Sequence, residues 1–154
     1  MRLYSSFVVL SVFCLLAGPA AALTLVTADE AAQPAAKPLP LLPPASAARG
    51  ITRGPEIDIE SPRNQDKPVH SPFPLRIEFV AHGGAHINPA SVRVFYLRQG
   101  NIDLTGRLKS EISAAGINVP DAETPPGEHA FRIEVEDDEG RSSATDVVIK
   151  VSGG

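Results

Sequence analysis

Few residues in this chain could do chemistry. His82 and His86 stand four apart around Gly83-Gly84. Imidazoles bind transition metals, but a site needs three or four convergent N, S or O ligands. Four-residue spacing aligns side chains on a helix, and a glycine-rich stretch is a loop. His70 and His129 are isolated, and His129 is expected to face inward as a structural residue. The second group is Asp137-Asp138-Glu139, beside Glu136 and ahead of Gly140. Clustered carboxylates suit calcium, yet Asp-rich turns also arise for backbone reasons alone. His82, His86, Asp137, Asp138 and Glu139 are therefore weak metal candidates. The expectation is no metal and no cofactor.

Catalysis has less support. No Gly-x-Ser-x-Gly elbow, Cys–His pair or phosphate-cradling glycine loop occurs. Glu134 and Glu136 share one strand face, and read as a solvated surface paired with Arg132 and Lys150 across a sheet. Trp is absent and Tyr occurs twice, which leaves little aromatic platform for a sugar. A net charge of −4 gives no electrostatic case for nucleic acid. The chain is read as not an enzyme.

The elements that must position these residues are strands. His129, Phe131, Ile133 and Val135 alternate with Glu128, Ala130, Arg132, Glu134 and Glu136. After the acidic turn, Val147, Ile149 and Val151 alternate with Asp146, Val148 and Lys150. This pattern predicts a β-hairpin with one buried face. Earlier strands are expected around Ile57 and Ile59, over 73–80, over 91–97 and over 102–104. Residues 105–119 are ambiguous. Leu104, Leu108, Ile112 and Ala115 recur at helical spacing, with Gly116 as a possible stop. The favoured reading is mostly extended chain with one helical turn.

The first 22 residues read as a signal peptide. Arg2 precedes an apolar run over 7–17, and Ala20-Ala21-Ala22 suits cleavage before Leu23. The alternative is a retained anchor, because 7–26 is close to the ~20 apolar residues a spanning helix needs. Membrane contact is expected only in that case. The only cysteine, Cys14, lies in this segment. Residues 23–53, with Pro34, Pro38, Pro40, Pro43 and Pro44 among alanines, read as a disordered linker. A folded domain is expected over 54–154.

Three segments resemble the bacterial immunoglobulin-like domains of exported proteins. They are Ser71-Pro72 into Leu75-Arg76-Ile77-Glu78-Phe79; Ile87 to Val94 followed by Ile102-Asp103-Leu104-Thr105; and Pro126-Gly127-Glu128-His129 through Gly140. The resemblance implies an all-β, immunoglobulin-like β-sandwich of about seven strands. It carries no catalytic residues. His129 stands where many relatives have the tyrosine of a tyrosine corner.

The functional expectation is an exported, periplasmic or secreted, non-catalytic module for protein interaction or envelope scaffolding. The partner would be a protein of the cell envelope. Candidate contact residues are Ile57 and Ile102 on edge strands, and Phe95 and Leu97 on an outer face. A small-ligand or metal-ion binding protein of the periplasm is the alternative.

Overall fold

Period-two alternation decides the architecture. The computed structural model describes residues 22–36, 54–63 and 66–153. Its elements are β1 (Leu23–Thr24), α1 (Ala28–Ala31), β2 (Glu56–Ser61), β3 (Val69–His70), β4 (Phe73–Val80) and β5 (Ile87–Tyr96). They continue as β6 (Ile102–Asp103), β7 (Ile112–Ser113), β8 (Gly116–Glu123), β9 (Gly127–Asp137) and β10 (Ser142–Ser152). One sheet runs β1-β8-β4-β2, with β7 paired to β8; the other runs β3-β10-β9-β5-β6. Both are mixed. β1 joins β8 and β3 joins β10 in parallel, while the remaining pairs are antiparallel. The chain is all-β and its two sheets form a β-sandwich.

Every second side chain of β4 is buried: Phe73, Leu75, Ile77 and Phe79. Facing them are Val94 and Tyr96 from β5, Phe131, Ile133 and Val135 from β9, and Val147, Ile149 and Val151 from β10. Fully burying one such side chain stabilises by about 1.5–3 kcal/mol. The expected hairpin is present, with Phe131 opposite Val147 and His129 opposite Ile149.

Residues 104–119 resolve into turns and a hairpin. Leu108 N–H donates to the Leu104 carbonyl, which makes the one helical turn. β7 and β8 then pair, with Ile112 opposite Ile117. Leu108, Ile117 and Val119 reach the core. Gly116 does not stop a helix. It opens β8 at φ 142, and a Cβ there would lie 1.9 Å from the Ile77 carbonyl oxygen. Only glycine lets these backbones approach so closely.

The linker expected over 23–53 does not hold for its first part. Residues 23–36 form a strap on the sandwich. Leu23 and Thr24 pair with Ala122 and Glu123, while Leu25 and Val26 are 1% and 2% exposed. Leu25 lines the same interior space as Leu75, Leu108, Phe131 and Ile149. Thr27 then caps α1: its hydroxyl accepts from Glu30 N–H, and the Glu30 carboxylate accepts from Thr27 N–H. Two core residues and a capping box offset the ordering entropy that was expected to leave this segment loose. Residues 1–21 and 37–53, including all but the last residue of the expected signal peptide, Cys14 and the rest of the expected linker, lie outside the described residues.

Candidate functional site

The loop 82–86 and the β9–β10 turn meet at one corner of the sandwich. His86 N–H donates to Asp138 Oδ1 at 2.9 Å, and Asp138 N–H returns a bond to the His86 carbonyl at 2.9 Å. The five metal candidates are thus gathered by the fold. The Asp137 and Glu139 carboxylates, however, are directed at Arg141, and Asp138 Oδ1 is taken by His86 N–H. Asp137 is buried, and its Oδ1 accepts the N–H groups of Glu139 and Arg141 at 3.0 and 2.9 Å. Its Oδ2 accepts Arg141 Nε at 2.7 Å. The same guanidinium donates to the His82 carbonyl at 2.9 Å and stands 3.3 Å from Glu139.

Burial raises the Asp137 carboxyl pKa, but the Arg141 and Glu139 hydrogen bonds outweigh it and hold the group below its ordinary value. The His82 ring is near a different carboxylate, with Nε2 3.7 Å from Glu56. A cation entering this corner would have to displace Arg141. The arrangement is a charge-neutralised turn lock. No cluster of three or more His, Cys, Asp or Glu able to hold a metal ion occurs among the described residues. Sequence reading missed Arg141, although an Asp four residues before an Arg across a glycine turn was a usable signal.

A second polar cluster is built inside the sandwich. Tyr96 and His129 are 0% and 1% exposed. His129 Nε2 lies 2.8 Å from the Pro125 carbonyl, which can only accept, so Nε2 carries the proton. His129 Nδ1 is then an acceptor, and Tyr96 Oη donates to it at 2.9 Å. Arg98 Nε donates to Tyr96 Oη at 2.9 Å, and Arg98 Nη2 to the Glu128 carbonyl at 2.9 Å. Desolvation lowers the His129 pKa; the Pro125 bond opposes this and the Arg98 charge adds to it. Burial raises the Tyr96 pKa, against the hydrogen bond and charge of Arg98. The proton positions follow one direction, Arg98 to Tyr96 to His129 to Pro125. Each polar atom named has a partner, which suits a structural role better than proton exchange with a substrate.

The four contact candidates are half-buried. Ile57 sits on β2, the outer strand of one sheet, and Ile102 on β6, the outer strand of the other. Both pack against the core. Phe95 stands opposite Arg132, which is buried on the outer face and bonded to Asp146 at 2.7 and 2.8 Å. Leu97 donates to the Ala130 carbonyl and accepts from Ala36 N–H, so the strap runs beside it. The large apolar residue left exposed among the described residues is Val80, at 38%.

Sequence reading also missed the charged clamp on the strap, between Glu30 in it and Arg107 outside it. The Arg107 guanidinium binds both oxygens of Glu30 and also donates to the Leu25 carbonyl at 3.0 Å. The Arg107 hydrogen bond pulls the Glu30 pKa from 4.5 to about 2. Thr27 with Glu30 three residues later was a capping-box signature legible in the sequence.

No protein-family model, curated protein or solved structure matches this chain.

Proposed function

We propose that this chain is an exported, non-catalytic immunoglobulin-like module that binds a protein of the cell envelope through a free sheet edge. The observation that carries this reading is β2. It is a six-residue outer strand, hydrogen-bonded to β4 on one side. Its apolar residues Ile57 and Ile59 turn to the core, and Glu56 and Asp58 face outward, while Glu60, at the register shift, is half-buried and paired with Arg63. The two exposed carboxylates, Glu56 and Asp58, disfavour pairing of β2 with a second β2. They favour a partner strand with basic side chains, joined by main-chain hydrogen bonds. β6, with two residues, offers much less.

The immunoglobulin-like part of the proposal is supported by topology and by His129. β2-β4-β8 faces β10-β9-β5, and short β3 crosses over to run parallel to β10. At the β8–β9 corner, His129 reaches back to the Pro125 carbonyl, the bond a corner tyrosine makes in such sandwiches. Export is supported by Ala20-Ala21-Ala22, since cleavage before Leu23 leaves β1 and the whole strap intact.

In-cell crosslinking of a C-terminally tagged chain, followed by mass spectrometry, tests the reading. One dominant envelope protein is the expected product. Recovery of the tagged chain alone would count against it.

A further inference from the structure

The strap is a separable piece of the sandwich. Its β1 pairs in parallel with β8, across about a hundred positions of sequence, so no tight turn ties the two together. Among the described residues, its backbone hydrogen bonds to the sandwich and its ion pair fall on residues 97–123. Leu25 and Val26 N–H groups donate to the Glu123 carbonyl, and Arg107 clamps Leu25 and Glu30. Gln99 N–H donates to the Pro34 carbonyl, and Ala36 N–H to the Leu97 carbonyl. Its two buried side chains, Leu25 and Val26, enter where β8, beyond the two residues paired with β7, would otherwise be the outer strand.

The covalent tether does not restrict the strap to its own domain. Seventeen residues separate Ala36, beside Leu97, from Gly54, which lies against Ser142 and Ser143 at the start of β10. A chain of that length can reach at most ~60 Å, several times the ~13 Å radius of gyration of a hundred-residue domain. A neighbouring copy's β8 edge therefore lies within reach, and docking there would make the same contacts as docking at home. Exchange of an identical element costs little for this reason. Which form dominates then depends on protein concentration against the effective concentration the tether sets.

We propose that residues 23–36 are an exchangeable strap, which docks on the β8 edge of a second copy of this chain as well as on its own. The occupant is this segment because the acceptor matches it in detail: space for Leu25 and Val26 in the core, Arg107 for Glu30, and the 97–99 backbone for 34–36. The proposal is independent of the free β2 edge, which lies on the opposite side of the same sheet.

Thr24 and Glu123 are direct partners across β1 and β8, with Thr24 Oγ1 3.4 Å from the Glu123 carboxylate. The test uses the full chain in a Cys14→Ser background. A Thr24→Cys chain is mixed with a Glu123→Cys chain and oxidised over a range of protein concentrations. The expected result is a disulfide-linked heterodimer several-fold in excess of either homodimer, rising with concentration, and lost when Leu25→Asp is added to the Thr24→Cys chain. The T24C/E123C double variant, oxidised at low concentration, closes within one chain and shows that the geometry is competent. A heterodimer no more abundant than the homodimers, with the double variant still closing, would overturn the proposal. So would a heterodimer that survives Leu25→Asp.

Discussion

Tyr96 donates its hydroxyl proton to His129 Nδ1 at 2.9 Å in the interior of the sandwich, while the other ring nitrogen is fixed on Pro125. Protonating His129 would place a second hydrogen on the axis between the two residues. The Tyr96 hydroxyl would have to turn away, and its proton would lose its partner in a buried space. An unsatisfied buried donor costs about 1–3 kcal/mol.

Acid therefore acts on this pair through a definite pH window. The unfolded ring titrates near pH ~6.5, and burial moves the folded ring lower. Between the two values the unfolded state binds more protons, so stability rises with pH there. The His129 contribution is flat above pH ~6.5 and falls by up to ~1.4 kcal/mol per unit below it, until the folded ring titrates. Denaturant unfolding at stepped pH, for the native chain and His129→Gln, measures this. The native chain should show the steeper loss below pH ~6.5. Equal slopes would remove His129 from the account.

The strap makes a prediction that a loose linker could not. Leu25→Ala should lower unfolding free energy by about 2–5 kcal/mol, the range for emptying a fully buried leucine site. Glu30→Gln should cost about 1 kcal/mol at neutral pH, the upper end for a solvent-screened ion pair, here with a capping bond added. Glu30 has a depressed folded pKa, so its contribution is present above pH 4.5 and lost as pH falls towards about 2. Chemical denaturation of both variants measures these effects. Changes below ~0.5 kcal/mol, typical of exposed positions, would mean the strap is not part of the fold.

Gly116 sets the distance between β8 and β4. Gly116→Ala must both hold a positive φ and push against the Ile77 carbonyl. A loss of at least ~2 kcal/mol is expected, from backbone strain added to displacement of a paired strand. A thermal melt within a degree of the native chain would contradict the close approach.

The acidic turn should ignore calcium. Asp137 spends its oxygens on Arg141 and Glu139. Millimolar calcium against chelator should leave the melting temperature of the native chain unchanged. A rise on adding calcium would show that Arg141 yields its place to a cation.

The strand core was legible because its signal is local. Phe131, Ile133 and Val135 alternate with polar residues, and the register places them inside as that pattern requires. His129 was legible as an inward residue from the same phase. Its bond to Tyr96 was not, because it spans thirty-three positions and depends on how β5 registers on β9. The strap was hidden for a different reason. Leu23 to Val26 continues the apolar run before it, and prolines follow within a dozen residues, so two buried side chains looked like the end of a leader. At the metal-candidate corner, the acidic residues were visible in sequence, whereas the charge that neutralises them came from Arg141 folding back over the turn.

The claim that this sandwich works through a free strand is tested most directly at Asp58, which faces outward from β2. A photo-reactive residue at position 58, and a control at the exposed Lys109, should be introduced separately into the full chain expressed in cells. A single crosslinked envelope protein from position 58, missing from position 109 and lost when Ile59→Pro breaks the strand, is the predicted result. No product from position 58, or the same products from both positions, would contradict it.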